Sequence, residues 1–167
     1  FGKTVMANMV SAFFSHGVDS TEIFSKLKIA ESTGYKKHLN THDVIRIDFS
    51  RMPRNCNSYD QYIERIERIL IQDLMEAYPK ADIQEEDAVW DSLDLVYERY
   101  GCQRFIFVFD EWDCIFHKDF ITDEDKKKYI SFLSSLLKDK AYVLLSYMTG
   151  ILPIAKYSSG SELNMFA

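Results

Sequence analysis

Five apolar residues in a row, Phe105-Ile106-Phe107-Val108-Phe109, run straight into a pair of acids, Asp110-Glu111. A strand with apolar side chains on both faces has to be covered on both. Parallel sheets flanked by helices provide that cover, whereas half-solvated antiparallel sheets alternate apolar and polar residues. Tyr142 to Met148 is a second largely apolar stretch, ending at Thr149-Gly150. Val44 to Phe49 alternates, which suits an edge or partly exposed strand.

Helical patterns separate these strands. From Thr4 the apolar residues Val5, Met6, Met9, Val10, Phe13 and Phe14 recur at helical spacing and predict one buried stripe, with Gly17 as a stop. Asp19 to Asn40 reads as short helices and connections. Ser58 opens a long helix that Pro79 ends, and Gln61 is placed to close a capping box. Further helices are expected from about Val89 to Tyr100 and from Asp123 to Leu137. Strands alternating with helices predict a three-layer α/β domain with a mainly parallel sheet, and ligands in such sheets bind at the carboxyl ends of the strands.

At 167 residues the chain is one domain's worth, read as a single domain over 1–167. A net charge of −6 argues against a bare nucleic-acid-binding surface, so direct nucleic-acid binding by this domain is not expected. The run Lys126-Lys127-Lys128 reads as a solvated helix face. Three scattered cysteines, Cys56, Cys102 and Cys114, show no paired spacing and suit a reducing, cytoplasmic setting. No segment approaches the ~18 consecutive apolar residues of a membrane span. His38 and His42 stand four apart but lack the companions of a zinc site and read as surface histidines.

The chain begins Phe1-Gly2-Lys3-Thr4, the closing residues of a phosphate-binding loop of pattern G-x-x-x-x-G-K-S/T whose first glycine would precede Phe1. Gly2 would let backbone approach phosphate, Lys3 would contact the β and γ phosphates, and Thr4 would ligate Mg²⁺. Alone, the triplet reads as well as a loop glycine before a helix. A lysine at a helix N-terminus opposes the dipole, however, and an anion there would offset it. Asp110 would hold Mg²⁺ and Glu111 would orient the attacking water. Thr149 would sense the γ-phosphate or hold that water, and reads equally as a strand-ending turn. Asp113 reads as the cap of the turn that follows it, and Cys114 as packing.

With these residues in place the chain resembles the AAA-ATPase-like family of bacterial proteins. The matching stretches are Phe-Gly-Lys-Thr at the start, Phe-Ile-Phe-Val-Phe-Asp-Glu-Trp-Asp at 105–113, and Tyr-Met-Thr-Gly-Ile-Leu-Pro-Ile-Ala-Lys-Tyr at 147–157. The resemblance implies a P-loop NTPase fold and ATP with Mg²⁺. It makes Lys3 and Thr4 the Walker A pair, Asp110 and Glu111 the Walker B acid and catalytic glutamate, and Thr149 the sensor. It implies too that a first strand precedes Phe1 and lies beside Tyr142 to Met148, so this fragment by itself is expected to fold and bind ATP poorly. Full-length relatives often carry a C-terminal nuclease-like domain, an activity not carried over to these residues. The function expected is ATP hydrolysis coupled to conformational change in attached domains. The alternative is a nucleotide-binding regulatory or scaffold module with little turnover. The residues alone do not exclude GTP.

Overall fold

The computed structural model describes residues 2–152 and is an α/β domain built on a three-stranded parallel sheet. In chain order the elements are α1 (Lys3–Phe14), α2 (Thr21–Phe24), α3 (Tyr35–His38), β1 (Asp43–Asp48), α4 (Tyr59–Ala77), α5 (Val89–Arg99), β2 (Phe105–Asp110), α6 (Asp123–Leu137) and β3 (Val143–Met148), with short 3₁₀ turns between some of them. The strand order is β1-β2-β3, so the continuously apolar strand is central. Asp48 of β1 is paired in register with Asp110, and Met148 of β3 with Phe109. The three strands therefore end along one edge.

β2 divides the interior. Phe105, Phe107 and Phe109 face the larger core, which α4, α5 and α6 complete. Ile106 and Val108 face Ala7, Val10 and Phe14 of α1. All six residues of β2 are buried, and each apolar side chain contributes roughly 1.5–3 kcal/mol of transfer free energy. The stripe expected on α1 holds only in part: Phe13 is buried, and Val10 and Phe14 pack toward the sheet. Val5 and Met6 stand 58% and 48% exposed, and the small Ala7 makes the close contact with the sheet. Among the described residues it is the Ala7, Val10 and Phe14 side of the helix that meets the sheet.

β1 is an edge strand as its alternation predicts. β3 has no second neighbour among the described residues, and Leu144 and Leu145 are about two-fifths exposed. Ser58 caps α4 by accepting from the Gln61 N–H at 3.3 Å, but Gln61 Oε1 reaches past it to the Asn57 N–H at 3.0 Å. The box is thus closed one residue early. α6 has a complete capping box between Thr122 and Asp125.

His38 and His42 are not separate surface residues. Their rings stack with centroids 5.1 Å apart, and Nδ1 of His38 lies 2.9 Å from Nε2 of His42. Burial first, then the neighbouring His38, holds the His42 pKa below its ordinary 6.5. The unfolded chain therefore binds more protons than the folded one just below that value, so stability rises with pH through this window. Thermal stability is expected to fall as pH drops from about 7 through about 6.5 and below. His42→Gln should flatten that slope in melting curves collected across the range.

Candidate functional site

The direction of α1 follows from its far end. The His16 N–H donates to the His42 carbonyl at 3.0 Å, and the His42 N–H to the Phe14 carbonyl at 2.9 Å. The end of α1 is thereby tied to the start of β1, and the helix runs against the strands. Twelve helical residues span ~18 Å, close to the ~20 Å of a six-residue strand. The start of α1, with Gly2, Lys3 and Thr4, is thus returned to the edge where the strands end. Gly2 adopts φ +94°, a left-handed conformation that a side chain would strain. No acidic residue occupies the first turn to offset the helix dipole.

At the same edge the structure draws Asp110, Glu111 and Thr149 into one hydrogen-bonded group. The Thr149 hydroxyl donates to Asp110 Oδ1 and accepts from the Glu111 N–H at 3.2 Å. The Thr149 N–H donates to the Phe109 carbonyl at 2.8 Å, and its own carbonyl accepts from Trp112 at 3.0 Å. Thr149 is therefore fastened to β2 through backbone and side chain alike. Glu111 has φ +54°, a region that non-glycine residues seldom occupy and that recurs at functional sites. No hydrogen bond or ion pair joins the Lys3 or Thr4 side chain to these acids among the described residues.

Asp110 is 1% exposed. Its second oxygen faces the Arg46 guanidinium of β1 at 3.9 Å, and Arg46 is itself partly open to solvent. The strand register puts Asp48 beside Asp110. Burial works to raise the Asp48 pKa, but hydrogen bonds from Ser50 and Arg51 outweigh it and hold the carboxyl below its usual range. Sequence reasoning missed both Arg46 and Asp48. The period-two alternation that identified β1 was the available signal, because it sets Val44, Arg46 and Asp48 on the α1 face. Arg51 also stands at this edge, beside Asp48. Arg104 precedes β2 at the opposite edge, and Arg99 donates to the Ala81 carbonyl.

Two buried tyrosines brace the loops that leave this edge. Tyr62 of α4 donates to the Phe49 carbonyl at 2.8 Å, just past β1, and Tyr129 of α6 donates to the Trp112 carbonyl at 2.5 Å, just past β2. Burial raises both phenol pKa values, so the donors stay protonated.

Asp113 does not cap the turn after it. Its side chain makes no capping bond there. Instead Oδ2 accepts from the N–H groups of Ile151 and Leu152 at 2.8 and 2.6 Å, fastening the segment after β3. Gly150 sits in the same clasp, where a Cβ would overlap the Trp112 ring and lie 2.7 Å from Asp113 Oδ1. Residues 153–157 of the third matching stretch lie outside the described residues. Burial raises the Cys114 thiol pKa, as for a packing residue.

The donors at this edge are carboxylate and hydroxyl oxygens, which suit a hard cation such as Mg²⁺. Mg²⁺ commonly binds through one or two carboxylates together with substrate phosphates. No group of three or more His, Cys, Asp or Glu side chains forms a ready metal site among the described residues. No helix among them is long and apolar enough to cross a membrane.

A parallel sheet whose carboxyl edge gathers buried acids, a helix start and a hydroxyl defines an α/β domain of the P-loop kind. The family model described as Predicted AAA-ATPase (AAA-ATPase-like) matches residues 1–159, and the chain belongs to that family. Membership points to nucleotide binding and ATPase activity in general. No curated protein and no solved structure matches the chain.

Proposed function

We propose that this domain binds ATP with Mg²⁺ at the carboxyl edge of its sheet and hydrolyses it, driving conformational change in attached domains. The carrying observation is the group formed by Asp110, Thr149 and the Glu111 backbone, at the edge to which the start of α1 returns. In this reading Gly2, Lys3 and the first-turn N–H groups receive the phosphates. Thr4 and Asp110 would hold Mg²⁺, which supplies charge compensation for the transferring phosphoryl group. Glu111 orients the attacking water, and ADP and inorganic phosphate leave. Thr149 contributes by fixing Asp110 and the Glu111 backbone relative to one another.

Arg46 fits the same account. A buried carboxylate without a compensating charge is costly, and the guanidinium 3.9 Å away supplies one. The test is calorimetric ATP binding with and without Mg²⁺, on the full-length protein and its Lys3→Ala variant. Loss of a charged phosphate contact is expected to weaken binding about tenfold or more. Equal, weak affinity in both proteins would count against Lys3 as a phosphate ligand.

A further inference from the structure

We propose that the open edge of β1 and the flank of α4 facing it form a docking groove for an extended peptide with an acidic and a basic side chain four residues apart. The main chain supplies the first part of the argument. The Phe49 N–H donates to the Asp110 carbonyl at 2.9 Å, so 45, 47 and 49 turn their backbone groups toward β2. Backbone groups alternate along a strand, so Val44 and Arg46 turn an N–H and a C=O each to the open side. The Asp48 carbonyl is already taken by the Arg51 N–H at 3.3 Å. Among the described residues the N–H and C=O of Val44 and of Arg46 thus have no backbone partner and lie in a row with the Asp48 N–H, the requirement for adding a strand to a sheet.

The space beside this edge is shaped for such a strand. Two adjoining cavities of about 360 and 400 Å³ run along it and share Arg46, Leu70 and Asp73 as walls. α4 runs antiparallel to β1, with Arg65 near the strand's carboxyl end and Tyr78 near its start. Ile66, Ile69 and Leu70 form an apolar wall between.

Charge identifies the occupant. Arg65 and Asp73 both line the groove, and neither pairs with another side chain among the described residues. They stand eight positions apart on α4, a rise of ~12 Å. In an extended chain, side chains at i and i+4 share a face and stand ~13 Å apart. A peptide carrying an acid at one of these positions, a base at the other and an apolar residue midway meets Arg65, Asp73 and the apolar wall together. The row of backbone groups is short, so the bound segment is about five residues long.

The experiment uses two fluorescein-labelled peptides centred on Glu-Thr-Val-Thr-Lys and on its reverse, Lys-Thr-Val-Thr-Glu, with binding read by anisotropy. One of them is expected to bind saturably, and Arg65→Glu or Asp73→Lys to weaken it by about fivefold each. Combining the two substitutions should invert which peptide is preferred. N-methylating alternate peptide nitrogens should abolish binding in one phase and spare it in the other. Failure of both peptides to bind, or binding indifferent to Arg65 and Asp73, overturns the proposal. A dimer seen by sedimentation and dissolved by Arg65→Glu would instead assign the groove to a second copy of this chain. None of these outcomes depends on ATP turnover.

Discussion

Glu111→Gln is expected to cut ATP turnover by about 10²- to 10⁴-fold, the range that a positioned acid–base group contributes, while leaving ATP affinity nearly unchanged. The substitution removes the charge that orients and polarises water but is close to isosteric. The Glu111 N–H that donates to Thr149 belongs to the backbone and survives it. The φ of +54° is also met by glutamine at little difference in strain. Binding and chemistry should therefore separate cleanly. Single-turnover measurement of phosphate release beside calorimetric binding decides the matter. A variant that turns over like wild type would remove Glu111 from the chemistry. A wild-type protein that binds ATP without measurable turnover would favour the regulatory or scaffold reading.

Phe107→Ala is expected to destabilise the domain by about 3–5 kcal/mol, the usual cost of deleting a buried aromatic ring. Phe107 is 1% exposed at the middle of the central strand. Its ring lies edge-on to Phe109 with centroids 5.8 Å apart and is tilted against Tyr142 at 6.0 Å. Both neighbours lose a partner, beyond the area returned to water. Domains are commonly stable by only about 5–15 kcal/mol, so the unfolding midpoint should drop markedly. Urea titration followed by far-UV circular dichroism measures the effect, with Leu145→Ala at the open side of β3 as a control. A Phe107→Ala midpoint as mild as the control's would mean that the strand is not packed on both faces.

The three strands were legible because burial writes itself into periodicity. The apolar run of β2 is covered on both faces, and the Arg46–Ile47–Asp48 alternation belongs to an edge. The apolar β3, by contrast, leaves Leu144 and Leu145 about two-fifths exposed among the described residues. The paired acids were legible because polar residues interrupt that run where the strand ends. Asp113 was misread because a sequence shows only the neighbours along the chain. Its partners, Ile151 and Leu152, are 38 and 39 residues away. Arg46 was missed for a related reason, since its proximity to Asp110 exists only once β1 and β2 are in register. The α1 stripe held only in part, for a different reason. Helical period reports which residues share a side of a helix, but not how wide a surface that side will meet.

The clasp around Gly150 has a spectroscopic consequence. The chain holds two tryptophans, and Trp112 is buried beside Gly150, with its backbone N–H bonded to Thr149 and its ring 5.5 Å from that of Phe116. An indole in that position changes its emission colour and yield when the loop it abuts is displaced. The proposed catalytic edge therefore carries its own optical gauge. Trp90, whose ring lies edge-on to Phe132 between α5 and α6, provides a reference signal in the core.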